Sequence, residues 1–192
     1  MPSTLMEYFA SDPRVLQSIG RHYKTGETLS LDILERYCAS RKIFAGVDLQ
    51  MQTFYSIIDQ VYHGKHPLKG TTTEILEEEH EKHHNLAYHK GTAWQLRFSH
   101  LVGYGARYYS YLMARSVATS IWQKYFQKEP FDSENGMKYR RECLSYGGGK
   151  PSKQLVSDFL GESAVSPDAL ADALIADLDD KNKVVYDMTR SI

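Results

Sequence analysis

The sequence predicts an all-α protein, and three observations carry that reading. Apolar residues recur at helical spacing along almost the whole chain. Helix starts and stops are spelled out: Asp12-Pro13, Ser30, Thr71-x-x-Glu74 and Ser166-Pro167 open segments, and Gly26, Gly91, Pro130 and Gly161 close them. No stretch alternates with a convincing strand period, and no internal repeat is present.

The elements follow in order. Pro2 suits the first turn of a helix whose apolar residues are Leu5, Met6 and Phe9. Glu7 lies on this short piece, where the simplest reading is a solvated first-turn carboxylate favoured by the helix dipole. Asp12-Pro13 starts a second helix with Val15, Leu16, Ile19 and Tyr23 on its apolar face. Ser30 caps a longer one through Ile33, Leu34, Tyr37, Cys38 and Phe44, which Gly46 bends. Leu49, Met51, Phe54, Tyr55, Ile58 and Tyr62 continue the stripe as core. After a loop at Gly64-Lys65-His66-Pro67, the capping box at Thr71 and Glu74 opens a helix through Glu77, Glu78 and Glu79. A further helix runs to about Lys128, with Val117, Ile121, Trp122 and Tyr125 on its apolar side. Residues 133 to 145 read as a helix carrying Met137, Tyr139 and Leu144. Gly147-Gly148-Gly149 is a break, and it lacks the spacing and the preceding strand of a phosphate loop. Leu155, Val156, Phe159 and Leu160 form a short helix, and Leu170, Leu174 and Leu178 the last one. The end at Asp177, Asp179 and Asp180, with the tail to Ile192, reads as a frayed surface.

Composition narrows the function. A chain of 192 residues is long enough for one domain with a real core. A net charge of -1 offers no electrostatic case for nucleic acid or a membrane surface. No apolar run approaches the ~20 residues of a membrane span. The N-terminus carries Glu7 and Asp12 with no early basic run, unlike a targeting peptide. Two distant cysteines, Cys38 and Cys143, suggest reduced thiols inside a cell. The 14 tyrosines fit a wet, aromatic-lined interior or groove.

The chemistry concentrates in residues 94 to 115, where His100 stands beside Gly103 and Gly105 and is followed by Tyr104, Tyr108, Tyr109 and Tyr111. On a helix, Tyr104, Tyr108 and Tyr111 would share one face, within an arc of roughly 60°. Converging neutral hydroxyls beside a histidine are suited to hold a developing oxyanion. Spacing alone favours the competing reading, core packing with hydroxyls at the wet edge, and the glycines, which let backbone or ligand come close, tilt against it.

His80-Glu81-Lys82-His83-His84 matches H-E-x-x-H, yet chemistry speaks against a zinc site. No Asp or Glu lies between His84 and Glu129 to act as third ligand, and Ala87 and Lys90 stand where the metzincin extension needs Gly and His. The stretch follows Glu77-Glu78-Glu79 and contains Lys82, the pattern of a solvated helix. No metal ligand is assigned, although adventitious binding by His80, His83 and His84 is chemically reasonable.

The run R-F-S-H-L-V-G-Y-G-A-R-Y-Y-S-Y-L at 97 to 112 resembles the thimet-oligopeptidase family of zinc metallopeptidases. P-S-T-L-M-E-Y-F at 2 to 9, R-H-Y-K-T-G at 21 to 26 and D-L-Q-M-Q-T-F-Y at 48 to 55 support it, with D-Q-V-Y-H-G-K-H-P-L at 59 to 68 and Y-R-R-E-C-L-S-Y-G-G-G at 139 to 149. They fall in family order over nearly the whole chain. More closely, the chain resembles the branch that trims imported mitochondrial precursors. The resemblance implies that residues 1–192 are a C-terminal helical part of a zincin-like catalytic domain. It implies zinc as cofactor, a peptide or precursor-protein substrate, and the mitochondrial matrix as location. The family's H-E-F-G-H histidines, its glutamate base and its third, glutamate ligand would lie ahead of Met1, so the chain by itself is expected to be inactive.

By the same resemblance, Glu7 orients a zinc-binding histidine. His100 and Tyr104 belong to a mobile loop whose glycines, Gly103 and Gly105, let it close on substrate. Tyr104 and Tyr111 donate to the oxyanion, and Tyr108 contacts the peptide backbone. Many members have one more residue between that histidine and the first tyrosine. Removal of an upstream half is expected to expose the Leu5, Met6 and Phe9 face. The alternative reading is a non-catalytic helical peptide-binding or regulatory module, and a third is a self-sufficient zincin using His80 and His84. Oligomeric state is not legible.

Overall fold

The computed structural model describes residues 1–189, with side chains described as far as residue 178. Among these there are ten α-helices and no strand, so the all-α class holds. None of the described helices is long and apolar enough to cross a membrane. The chain forms two compact units, one of residues 1–43 with 113–192, the other of residues 44–112.

The first unit opens with α1 (Pro2–Phe9). Leu5 is fully buried among Val117, Ile121, Trp122, Phe126, Tyr139 and Phe159. Phe9 packs edge-on against Trp122 and Phe126 at 5.0 and 5.1 Å. The α1 face expected to be exposed is therefore largely core, and only Met6 projects. In α2 (Pro13–Ile19), Asp12 caps the Arg14 amide at 2.9 Å and grips its guanidinium. Arg14 reaches on to the carbonyls of Gln127 and Lys128, each at 2.8 Å, which accounts for this charged pair on a short helix. The helix stops at Gly20 rather than Gly26, leaving Ile19 and Tyr23 exposed.

In α3 (Leu31–Ser40), Leu34, Cys38 and Ala39 are buried, while Ile33 and Tyr37 face outward and Phe44, beyond its end, is exposed. The predicted bend at Gly46 is a full break at 41–44, after which α4 (Ala45–Tyr62) starts the second unit. There, α5 (Thr72–His83) carries the complete capping box: the Glu74 amide donates to Thr71 Oγ1 at 3.2 Å and the Thr71 amide to Glu74 Oε2 at 2.8 Å. Phe54, Ile58 and Tyr62 of α4 pack with Ile75 and Leu76 of α5 and with Leu101.

A short helix α6 (His100–Gly103) and α7 (Ser110–Ile121) follow. At its end α7 widens into a π-helical turn over Trp122–Phe126, which presents Trp122 and Phe126 to the core. Then come α8 (Ser133–Glu142), α9 (Ser152–Leu160) and α10 (Pro167–Thr189). The predicted 133–145 helix ends early, and Met137 and Leu144 are exposed while Tyr139 is core.

The frayed C-terminal surface is corrected at Asp177, a buried residue bonded to Lys42 at 2.8 Å and Arg115 at 3.1 Å. Burial pushes its carboxyl pKa up, but the bonds and charges of Lys42 and Arg115 outweigh that and hold it below the usual range. A buried carboxylate persists only when paired, and two cations from distant parts of the chain pair it here. The Asp179 and Asp180 side chains and the end of the tail lie outside the described residues.

Candidate functional site

The second unit brings His100, Tyr104, Tyr108 and Tyr111 together, though not by the predicted route. Tyr104, Tyr108 and Tyr111 do not share a continuous helix. α6 ends at Gly103, α7 begins at Ser110, and a non-helical turn lies between them with Ala106 at φ 61°. The turn still gathers the rings. The His100 ring stands 5.6 Å from Tyr104, 5.8 Å from Tyr108 and 6.0 Å from Tyr111. Tyr111 also lies 5.7 Å from Tyr104 and 5.0 Å from Tyr108. Phe98 stacks on the other side of His100 at 5.1 Å and leads to Tyr55 and Trp94. Such edge and offset contacts hold aromatic rings in fixed relative orientation.

The three tyrosines differ in what their hydroxyls do. Tyr108 is only 6% exposed and donates to Gln52 Oε1 at 2.8 Å, so the core-edge reading describes it in this state. Tyr104 and Tyr111 are 46% and 42% exposed, and their rings lie 5.7 Å apart. Hydrogen bonding towards the Tyr104 hydroxyl raises the Tyr111 pKa, and burial raises that of Tyr108. Both hydroxyls are therefore neutral donors at neutral pH. The half-exposed pair beside His100 can offer donors to one incoming oxygen, which is the arrangement an oxyanion requires. Tyr109 turns away and lines an open groove with Thr53, Ile57 and Gln60.

Gly103 and Gly105 serve different ends. A side chain at Gly103 would meet open space. At Gly105 a Cβ would come 2.6 Å from His63 Nε2, so the turn approaches α4 too closely for any other residue unless His63 moves. Glu7, in the first unit, is exposed on α1, but in the second turn of that helix rather than the first, so the N-terminal dipole gives it no special support.

Asp59, Gln52 and His63 are the site's unanticipated supports. Asp59 is 0% exposed, and its two carboxylate oxygens accept from the Ala106 amide at 3.0 Å and the Tyr108 amide at 2.9 Å. A signal was present in the sequence. An aspartate next to Ile58 in the run Ile57-Ile58-Asp59-Gln60-Val61-Tyr62 sits at a core register, where a carboxylate needs partners.

Among the described residues, no three of His, Cys, Asp and Glu converge as a metal site. His80 and His84 do meet, stacked at 4.5 Å with Phe54 against both rings edge-on. They are a poor chelate. Near-parallel rings, 14° apart, aim their lone pairs side by side rather than at one point. The Leu86 amide donates to His84 Nδ1 at 3.3 Å, so in the neutral ring Nε2 carries the proton. Buried His80 Nδ1 and His84 Nε2 have no hydrogen-bond partner.

The pair makes stability depend on pH. Burial first, then neighbouring His84, lowers the His80 pKa from its ordinary 6.5, and Glu81 opposes this. The unfolded chain then binds a proton that the folded chain refuses, so this contribution is complete above the unfolded value and is lost as pH falls below it. The urea midpoint should drop between pH 7.5 and 5.5 (about one unit on either side of the ordinary value), and His80→Gln should flatten that slope. An unchanged slope in the variant would remove His80 as its source.

The profile of Peptidase family M3 matches residues 1–174. Mitochondrial intermediate peptidase of Homo sapiens is 51% identical over 179 residues, which are 93% of this chain and 25% of that protein. Its namesake in Arabidopsis thaliana is 38% identical over 167 residues, covering 86% of this chain and 24% of that protein. In Saccharomyces cerevisiae the protein of that name is 35% identical over 163 residues, with 83% and 21% covered. The chain thus spans about a quarter of the length of the curated relatives it matches.

Proposed function

Because the chain belongs to peptidase family M3, we propose that residues 1–192 are part of the catalytic domain of a zinc metalloendopeptidase. Its task is to remove short N-terminal peptides from precursor proteins imported into the mitochondrial matrix. Two supports differ in kind. The family match covers most of the chain, and the relatives carry mitochondrial peptidase names. The observation that carries the chemistry is the half-exposed pair Tyr104 and Tyr111, their rings 5.7 Å apart and both against His100.

In this reading the chain supplies the substrate-polarising side of the site. Tyr104 and Tyr111 donate their hydroxyl protons in hydrogen bonds to the carbonyl oxygen as it gains charge. His100, held between Phe98 and Tyr104, completes the polar wall. Tyr108 contacts the peptide backbone when its hydroxyl leaves Gln52, and Gly103 and Gly105 let the segment close over substrate. Glu7 belongs to the same proposal as the residue orienting a metal-binding histidine. The family is one of metallopeptidases and implies a metal. Among the described residues none form a site for it, and the reading assigns zinc and its ligands to the rest of the catalytic domain.

The experiment is a graft. This chain replaces the matching quarter of the human mitochondrial intermediate peptidase, and a quenched precursor-derived peptide reports turnover. The graft should cleave it in a chelator-sensitive manner, and the 192-residue chain with added zinc should not. An inactive but folded graft that still binds the peptide would favour a non-catalytic binding module. Turnover by the chain alone, abolished by Glu81→Gln, would establish the His80 and His84 site instead.

A further inference from the structure

We infer that Asp59, assisted by His63, is the positioning residue that imposes the Ala106 turn and thereby sets the spacing of Tyr104, Tyr108 and Tyr111 around His100. The turn is not what its own sequence prefers. Ala106 sits at φ 61°, a left-handed conformation that disfavours any residue with a Cβ. Something outside the turn must hold it, and α4 does so from both sides of the residue. Asp59 Oδ1 accepts the Ala106 amide at 3.0 Å, Asp59 Oδ2 accepts the Tyr108 amide at 2.9 Å, and Gln60 Nε2 donates to the Ala106 carbonyl at 3.0 Å.

His63 fixes the carboxylate in turn. Its Nδ1 lies 3.1 Å from Asp59 Oδ1 and 2.9 Å from the Asp59 carbonyl. Both are acceptors, so Nδ1 carries a proton, and Nε2 faces Gly105. There a single Cβ would collide at 2.6 Å. The fully buried carboxylate thus spends both oxygens on two amides of one turn, 47 and 49 residues away. That turn is where the chain changes direction between Tyr104, which ends α6, and Tyr111, in the first turn of α7.

The kinetic half of the test rests on the peptidase reading; the exchange half does not. In the 192-residue chain, amide exchange should find Ala106 and Tyr108 protected. Asp59→Asn, which replaces one acceptor by a donor, should speed exchange at those two amides by about tenfold or more relative to the α5 amides. Gly105→Ala reaches the lock from the opposite side and should do the same should Asp59→Asn not fold. In the graft, each should lower kcat by about 10²-fold while KM stays within about twofold, because misplaced donors fail chiefly in the transition state. Unprotected Ala106 and Tyr108 amides in the unsubstituted chain would overturn the lock. So would acceleration shared equally by α5, which marks plain destabilisation. Faster exchange with normal kcat would overturn the positioning role. A normal kcat for Tyr111→Phe in the same graft would instead sink the peptidase role of the tyrosines and leave the exchange result standing.

Discussion

Tyr111→Phe should lower kcat of the grafted enzyme by roughly 10²–10³-fold, the cost expected for losing the proposed oxyanion donor. The substitution keeps the ring and its contacts to His100, Tyr104 and Tyr108 at 6.0, 5.7 and 5.0 Å. It removes only the hydroxyl, which is half-exposed in the free site. A half-exposed hydroxyl that loses one neutral hydrogen bond contributes at most about 1 kcal/mol to stability, so the melting temperature should hardly move. KM should also change little, since a donor used mainly in the transition state leaves ground-state binding alone. Tyr109→Phe is the control, because Tyr109 lines the groove beside Thr53 and Ile57 rather than the His100 cluster. Near-normal kcat in Tyr111→Phe, or equal damage from Tyr109→Phe, would return the cluster to a packing role.

Phe54→Ala destabilises the second unit by about 3–5 kcal/mol, the usual cost of emptying a core phenylalanine site. Phe54 is 1% exposed and touches every layer of that core. It packs with Ile58, Tyr62, Ile75, Leu76 and Leu101, and its ring stands edge-on to His80 at 5.4 Å and to His84 at 5.9 Å. Deletion leaves a cavity beside two ring nitrogens that have no partner, and water entering it would hydrate them. The His80 pKa, lowered by burial, should then move back towards its ordinary value. Urea unfolding and a histidine NMR titration read the two effects. A loss below about 1.5 kcal/mol would show that the core collapses onto the gap, and an unmoved His80 titration would show that the ring does not shield it.

The membership of the chain in its family and its all-α class are legible in the amino-acid order, because both rest on local signals. Helical periodicity, the Thr71 and Glu74 capping box, and the proline starts at Pro2, Pro13 and Pro167 act within a turn or two of chain. Pattern reading grouped His100 with Tyr104, Tyr108 and Tyr111, and the rings do meet. It placed them on a helix, and there the structure differs, since a carboxylate from α4 outbids the local preference of Ala106. Long-range partners explain the other differences as well. Asp177 reads as surface until Lys42 and Arg115 arrive, and Leu5 and Phe9 read as a bare face until Trp122 and Phe126 cover it. Sequence by itself determined which helices form and which residues are the candidates for the chemistry, because those follow from propensity, period and motif. Only the tertiary structure decided which hydroxyls stand free, which charge is buried and what holds the turn. Those depend on contacts between residues tens of positions apart, for which spacing along the chain holds no physical signal.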